Sequence, residues 1–328
     1  MADSQIQAMV GEVLDTYSKA GRGMAIWEIE RVLFLARGHA PDGPLHERLA
    51  YYWDAKGPAS ETVRRAVAEM VDSGAARCEG KIYRPGDAAG NDIRTGAADV
   101  AWTEAVSGIA GLDEVLIEEK VWSEAPIPGF ATNFGIKFMG SFKAYARSVI
   151  MHEGDGPDLQ FIMDSFDEAL LVLPRGNQID DMPMGAEFFE FRLQCNLYSQ
   201  SLDILVRNDP GRDELMPGRY EHALRGSAAI WDAFVAISRL CGPDPQYSGR
   251  VAEWKRDHEE AMAVLTKIVK EFADSVEDLP IPKEEGDDEI LAVMNKIDDD
   301  KGKFSRGRTV EEELEFMRKL MSENAVEN

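Results

Sequence analysis

The run Ser60-Glu61-Thr62-Val63-Arg64-Arg65-Ala66-Val67-Ala68-Glu69-Met70-Val71-Asp72-Ser73-Gly74, continued by Ala75 to Gly86, decides how the first part of the chain is read. Ser60 is a good N-cap, because a short side-chain oxygen can accept from an otherwise unpaired amide of a first helical turn. Val63, Ala66, Val67, Met70 and Val71 then recur in steps of three and four, so the spacing predicts a helix over 61–72 with one apolar face. Ser73-Gly74 supplies a glycine stop. Two short extended pieces, Ala75 to Cys78 and Lys81 to Arg84, flank Glu79-Gly80, a dipeptide suited to a tight hairpin, and Pro85-Gly86 closes the unit.

Working outward, Ile6, Met9, Val10, Val13, Leu14 and Tyr17 mark a helix from about Gln5 to Tyr17. A second periodic run holds Ile26, Ile29, Val32, Leu33 and Leu35 and is broken by Gly38-His39-Ala40-Pro41-Asp42-Gly43-Pro44. A third helix is expected to start near Leu45, to carry Leu49, Tyr52 and Trp53, and to stop at Lys56-Gly57-Pro58.

Helix, turn, helix and then a two-stranded ribbon is an order that resembles the winged helix-turn-helix DNA-binding domain. The segment Pro44-Leu45-His46-Glu47-Arg48-Leu49-Ala50, with Ser60 to Val67, Met70 and Ser73-Gly74, is similar to the pattern of GntR-type regulators. The resemblance covers about the first quarter of the chain. It departs from the family in a longer turn, Asp54-Ala55-Lys56-Gly57-Pro58-Ala59, and in a brief wing, so nothing about a GntR effector domain is carried over. What it implies is contact with double-stranded DNA: Ser60, Thr62, Arg64 and Arg65 toward a major groove, and Arg77, Lys81 and Arg84 of the wing on phosphates. Against this stands the spacing of Glu61, Arg65 and Glu69, which suits mutual ion pairing on a solvated helix face.

Charge restricts where such a contact can lie. The 328 residues carry 36 Lys plus Arg against 60 Asp plus Glu, a net charge of −24. Residues 1–86 hold 11 basic and 12 acidic side chains, a net of −1, leaving −23 for the rest. A uniformly basic nucleic-acid coat is excluded, and only the first segment can approach phosphates without strong repulsion. No apolar run approaches the ~20 residues of a membrane span, and Met1-Ala2-Asp3-Ser4-Gln5 lacks the features of a signal peptide, so a cytoplasmic protein with no membrane partner is expected. Cys78, Cys195 and Cys241 are dispersed and odd in number, which argues against a disulfide framework and a thiolate zinc site.

Residues 87–96 read as a linker. Beyond a short helix near Ala97 to Val106, the texture between Phe130 and Arg207 becomes short apolar or alternating runs, among them Phe134-Gly135-Ile136-Lys137-Phe138 and Phe188 to Leu197. These predict a mainly antiparallel sheet covered by two long helices, Glu221 to Cys241 and Ser248 to about Ala273. In the second helix Val251, Trp254, His258, Ala261, Leu265, Ile268 and Phe272 form a heptad-like seam that suits either the chain's own sheet or a dimer partner. Residues 276–328 form an acidic tail. Its capping box Thr309-Val310-Glu311-Glu312 opens a short amphipathic helix, suited to the chain's own core or to a protein partner's groove.

Catalytic chemistry has little support. Five histidines show no metal-binding spacing, and no nucleophile elbow, dinucleotide loop or P-loop is present. Ile297 to Ser305 resembles a calcium loop but puts Ile297, Lys301 and Arg308 at ligand positions, so it fails. Asp113 with Glu118-Glu119-Lys120, and Asp164 with Asp167 and Glu168, are acidic clusters of the kind a nuclease uses, yet so acidic a chain yields such clusters by chance. The expectation is therefore an α+β chain: a winged helix domain at 1–86, a linker at 87–96, an acidic α+β domain at 97–275, and a tail. No catalytic residue, metal or cofactor is assigned. The functional expectation is a DNA-binding regulator with an acidic dimerisation or partner-sensing domain, and the competing one is an acidic winged-helix adaptor that binds protein.

Overall fold

Ile6, Met9, Val10, Val13, Leu14 and Tyr17 are the buried stripe of α1 (Ser4–Lys19), as the periodicity predicts. The structure is a computed structural model and describes residues 4–39, 48–87, 100–151, 158–175, 182–208 and 216–280. After α1 come β1 (Met24–Ala25), α2 (Ile26–His39), β2 (Tyr52–Asp54), β3 (Gly57–Ala59), α3 (Glu61–Asp72), β4 (Ala76–Glu79) and β5 (Ile82–Pro85). The three-stranded sheet has the order β1-β5-β4 and is antiparallel throughout, while β2 and β3 pair as a separate hairpin. The fold is thus of mixed α and β type, with small antiparallel sheets.

Two local expectations need correction. No helix carries Tyr52 and Trp53; they lie on β2, with Tyr52 opposite Ala59 and Trp53 opposite Pro58. Aromatic side chains suit a pleated surface, and the segment between the strands is a tight turn. Gly57 supplies its left-handed residue at φ 111°, and the Asp54 carboxylate accepts the Ala55 amide at 2.8 Å. In the wing the turn is shifted by one residue: Gly80 and Lys81 are its central pair, at φ 58° and 70°, between opposed Glu79 and Ile82. Two positive φ values are what a tight hairpin of right-twisted strands requires.

The first core extends beyond Gly86. Trp102, Val106 and Ile109 of α4 (Val100–Ala110), with Ile117 and Val121 of α5 (Glu114–Trp122), are buried in the same cluster as α1, α2 and α3. Of the expected linker only Asp87 is among the described residues.

The expected sheet between Phe130 and Arg207 is replaced by helices: α6 (Pro128–Phe130), a π-helical segment (Ala131–Phe138), α7 (Met139–Ile150), α8 (Leu159–Leu171) and α9 (Gly185–Asn208). The reason is legible afterwards in four phenylalanines. Phe130, Phe134, Phe138 and Phe142 are fully buried, and successive rings lie 5.1, 5.0 and 5.1 Å apart. At 3.6 residues per turn a strict four-residue spacing drifts by about 40° per step. The wider turn of a π segment takes that drift back and keeps the rings in one column.

Two long helices do follow, α10 (Met216–Leu240) and α11 (Val251–Val276), the latter preceded by a 3₁₀ turn, Pro245–Arg250. Ser248 lies inside that turn instead of capping α11. Leu265, Val269 and Phe272 of α11 are buried where it packs on α9 and α10, so the seam faces the chain's own helices. Met1–Leu279 forms one compact unit. The tail helix at 309–321 and the calcium-like run at 297–305 lie outside the described residues.

Candidate nucleic-acid interface

Helix α3 owes its position to its apolar face and its caps. Val63, Ala66, Val67 and Met70 are buried, and the Ser60 hydroxyl accepts from the Val63 amide at 3.4 Å. The Ser60 amide donates to Glu30 at 2.9 Å, and Ser60 has no exposed surface. A residue so enclosed cannot face a groove, which corrects its expected role. Thr62 is half-buried on the flank of α3.

Arg64 is likewise committed to the fold. Its Nε donates to the Glu30 carboxylate at 2.8 Å, its Nη1 to the Tyr52 hydroxyl at 3.3 Å, and Nη2 lies 3.3 Å from Glu30 and 3.5 Å from Asp54. Glu30 is 1% exposed. Burial pushes its carboxyl above the ordinary range, although the Ser60 amide and Arg64 both oppose that shift. Asp54 behaves oppositely: burial would raise it, but the Ala55 amide, Arg239 and Arg64 together hold it below the usual carboxylate value. Arg239 of α10 donates to Asp54 at 2.8 Å and to the Trp53 carbonyl at 2.8 Å. The β2–β3 hairpin is therefore clamped between α3 and α10. Trp231 adds an indole N–H to the Ala55 carbonyl at 3.1 Å.

The first turn of α3 is covered as well. The Tyr247 hydroxyl accepts the Glu61 amide at 3.1 Å and donates to the Ala50 carbonyl at 3.2 Å. Arg250 pairs with Glu61, and its guanidinium lies over the rings of Tyr52 and Trp254. Sequence reasoning missed Arg239, Tyr247 and Arg250. The only local signal was that Asp244-Pro245 opens a turn, which places Tyr247 but does not say what it meets.

Three of the expected cations remain outward, and a fourth is partly covered. Arg65, Arg77 and Lys81 are exposed and Arg84 is half-buried. None of the four side chains makes an ion pair or hydrogen bond among the described residues. The trio expected to neutralise Arg65 does not form, because Glu61 pairs with Arg250 and Glu69 accepts from Gln7 at 2.9 Å. Arg77 and Arg84 are opposed across the β4–β5 ladder. Elsewhere the acidic clusters are occupied locally: Asp113 caps α5, Glu118 pairs with Arg31 at 3.0 Å, and Asp164 accepts from Gln160 at 2.7 Å. No group of three His, Cys, Asp or Glu able to hold a metal occurs among the described residues, nor is any described helix long and apolar enough to cross a membrane. Compared with known protein families, characterised proteins and solved structures, the chain matches none.

Proposed function

We propose that this chain is a cytoplasmic DNA-binding regulator whose first 86 residues act as a winged helix and whose helical body senses a partner or joins copies of the chain. The observation that carries the reading is the group Arg65, Arg77, Lys81 and Arg84, left without counter-charges among the described residues in a chain of net charge −24. Four cations on one helix and the hairpin that follows it, with no counter-charge among the described residues, suit an anionic ligand. The element order α1-β1-α2-α3-β4-β5 supports the same reading. With Ser60 and Arg64 committed to the fold, contact runs through the outer face of α3 and the wing, and is dominated by phosphates.

Fluorescence anisotropy with pooled duplexes at low salt tests this. Binding is expected to weaken with salt. Changing Arg65, Arg77, Lys81 and Arg84 together to Ala should lower affinity and flatten the slope of log K against log salt by roughly 0.9 for each phosphate that is no longer neutralised. Absence of salt-sensitive binding overturns it.

A second reading is an acidic winged-helix adaptor that binds protein. It is favoured by Tyr247 and Arg250, which occupy the turn of α3 that a base-reading helix would put in a groove. Stoichiometric partners in an affinity purification, with no duplex binding, would select it.

A further inference from the structure

Helix α9 (Gly185–Asn208) carries the same spacing twice. Phe188, Phe191, Cys195, Tyr198, Leu202 and Leu205 recur in steps of three and four, and all six are fully buried. Two positions further on at each step stand Glu190, Leu193, Leu197, Gln200, Ile204 and Arg207. Two residues turn an α-helix through about 200°, so the second series is a seam on the face away from the core. It stays open among the described residues: Leu193 is 50% and Leu197 40% exposed, Glu190, Gln200 and Arg207 are exposed, and Ile204 is half-buried. Phe189, which borders the seam, is 41% exposed.

A surface helix ordinarily buries one apolar stripe and leaves the opposite face polar. Large apolar side chains at heptad spacing on the solvent side are instead the pattern of a helix that meets a second helix. Charge decides which. In a chain of net charge −24, two copies repel each other over most of their surfaces, so they can meet only on a face that adds no net charge. The outer seam carries two charges of opposite sign, Glu190 at one end and Arg207 at the other. Parallel pairing of two seams would set like charge on like. Antiparallel pairing about the midpoint between Tyr198 and Ser199 sets Glu190 against Arg207 of the second copy at both ends, Leu193 against Ile204, and Leu197 against Gln200. Arg207 bonds Asp203 of its own helix at 2.7 Å, a surface pair that is worth little and readily shared with a second carboxylate.

We infer that the outer seam of α9 is the self-association surface of this chain, two copies joining by antiparallel, two-fold pairing of their seams. The inference rests on the reading in which the helical body joins copies, and it names the surface used. A seam of about two and a half heptads is short for free peptides, whose helices must first form. Here each α9 is already held helical by its buried face, so association does not carry that cost. Gln200 opposite Leu197 places a polar group in the seam, which fixes the register at the expense of affinity and keeps the dimer reversible.

Sedimentation velocity of the full chain across the micromolar range tests the inference without any DNA, so its failure and failure of the DNA reading are separable. A concentration-dependent equilibrium of monomer and dimer is expected. Leu193→Glu should raise the dissociation constant about tenfold or more, because each dimer contains the change twice. Glu190→Arg and Arg207→Glu should each weaken the dimer, and the double variant, which restores opposite charges across the seam, should recover it. All of these side chains lie outside the buried face of α9, so the circular dichroism spectrum of each variant should match the parent's. Three results would overturn the inference: a full chain that is monomeric throughout, which would leave the seam to a different protein; a dimer untouched by Leu193→Glu; or a double charge reversal no stronger than its single variants.

Discussion

Arg77 and Arg84 stand opposite one another on β4 and β5, with no carboxylate partner for either among the described residues. Directly opposed like charges weaken an antiparallel pair by roughly 0.2–1 kcal/mol. Arg84→Thr is therefore expected to raise the urea midpoint slightly at low ionic strength. Added salt should narrow the gap by screening the parent's repulsion. Parallel urea titrations at two salt concentrations check this. An Arg84→Thr chain that loses stability would show that the two guanidinium groups are not repelling one another.

Lys81 sits at the tip of the wing in a left-handed conformation, φ 70°. A non-glycine residue held there costs roughly 1–2 kcal/mol, part of which glycine returns as extra freedom of the unfolded chain. Lys81→Gly should thus stabilise the protein by about 0.5–1 kcal/mol while weakening DNA binding. Chemical denaturation and anisotropy on the same sample measure both sides. Strain kept where a glycine would remove it is the pattern of a residue retained for contact.

Arg64→Ala strips the buried Glu30 carboxylate of its main partner and should cost about 2 kcal/mol. That is less than for a fully buried pair, because the Arg64 side chain is 41% exposed and water can partly replace it. The destabilisation should appear in thermal unfolding with no DNA present. If Arg64→Ala instead left stability unchanged and abolished DNA binding, the expectation that Arg64 reads bases would return.

Glu30 and Asp54 shift in opposite directions, and so should their pH signatures. The Glu30 carboxyl binds its proton more readily folded than unfolded. Its contribution is fully present below the ordinary glutamate value and is lost as pH rises through the raised folded value. Asp54, depressed by its partners, contributes stability above the ordinary aspartate value that is lost as pH falls through the lowered one. Stability measured from acid to neutral pH on Glu30→Gln and Asp54→Asn should accordingly lose slope on different limbs, the first above the ordinary glutamate value and the second below the ordinary aspartate value.

Gly135 lies in the π-helical segment where an added Cβ would come within 2.5 Å of the Trp231 ring. Trp231 cannot retreat freely, because its indole N–H is bonded to the Ala55 carbonyl. Gly135→Ala is expected to destabilise by about 1–3 kcal/mol despite the better helix propensity of alanine. Urea unfolding of this variant beside Gly140→Ala, where nothing lies within 4 Å, separates overpacking from propensity.

The elements that sequence reading recovered are those written in nearest neighbours. Ser60 and the three-four spacing of Val63, Ala66, Val67 and Met70 fix α3 without help from the rest of the chain, as the stripe of Ile6 to Tyr17 fixes α1. Alternating apolar runs misled it between Phe130 and Arg207, because Phe134-Gly135-Ile136-Lys137-Phe138 satisfies a strand pattern while its real period of four emerges only with Phe130 and Phe142. Tyr51 to Trp53 misled it in the reverse sense, since an aromatic triplet after Leu49 continues a helical stripe until the Asp54-Gly57 turn folds it back.

By itself the amino-acid order settled the composition and the charge imbalance, and it settled the Ser60 cap and the buried faces of α1 and α3, which depend on residues a few positions apart. Tertiary packing alone decided which cations are spent and which stay bare. Arg64 meets Glu30 across 34 positions and the Glu61 amide meets Tyr247 across 186, and local spacing carries no information about partners that distant. A charged side chain's availability is a property of whatever closes over it, and closure is long-range.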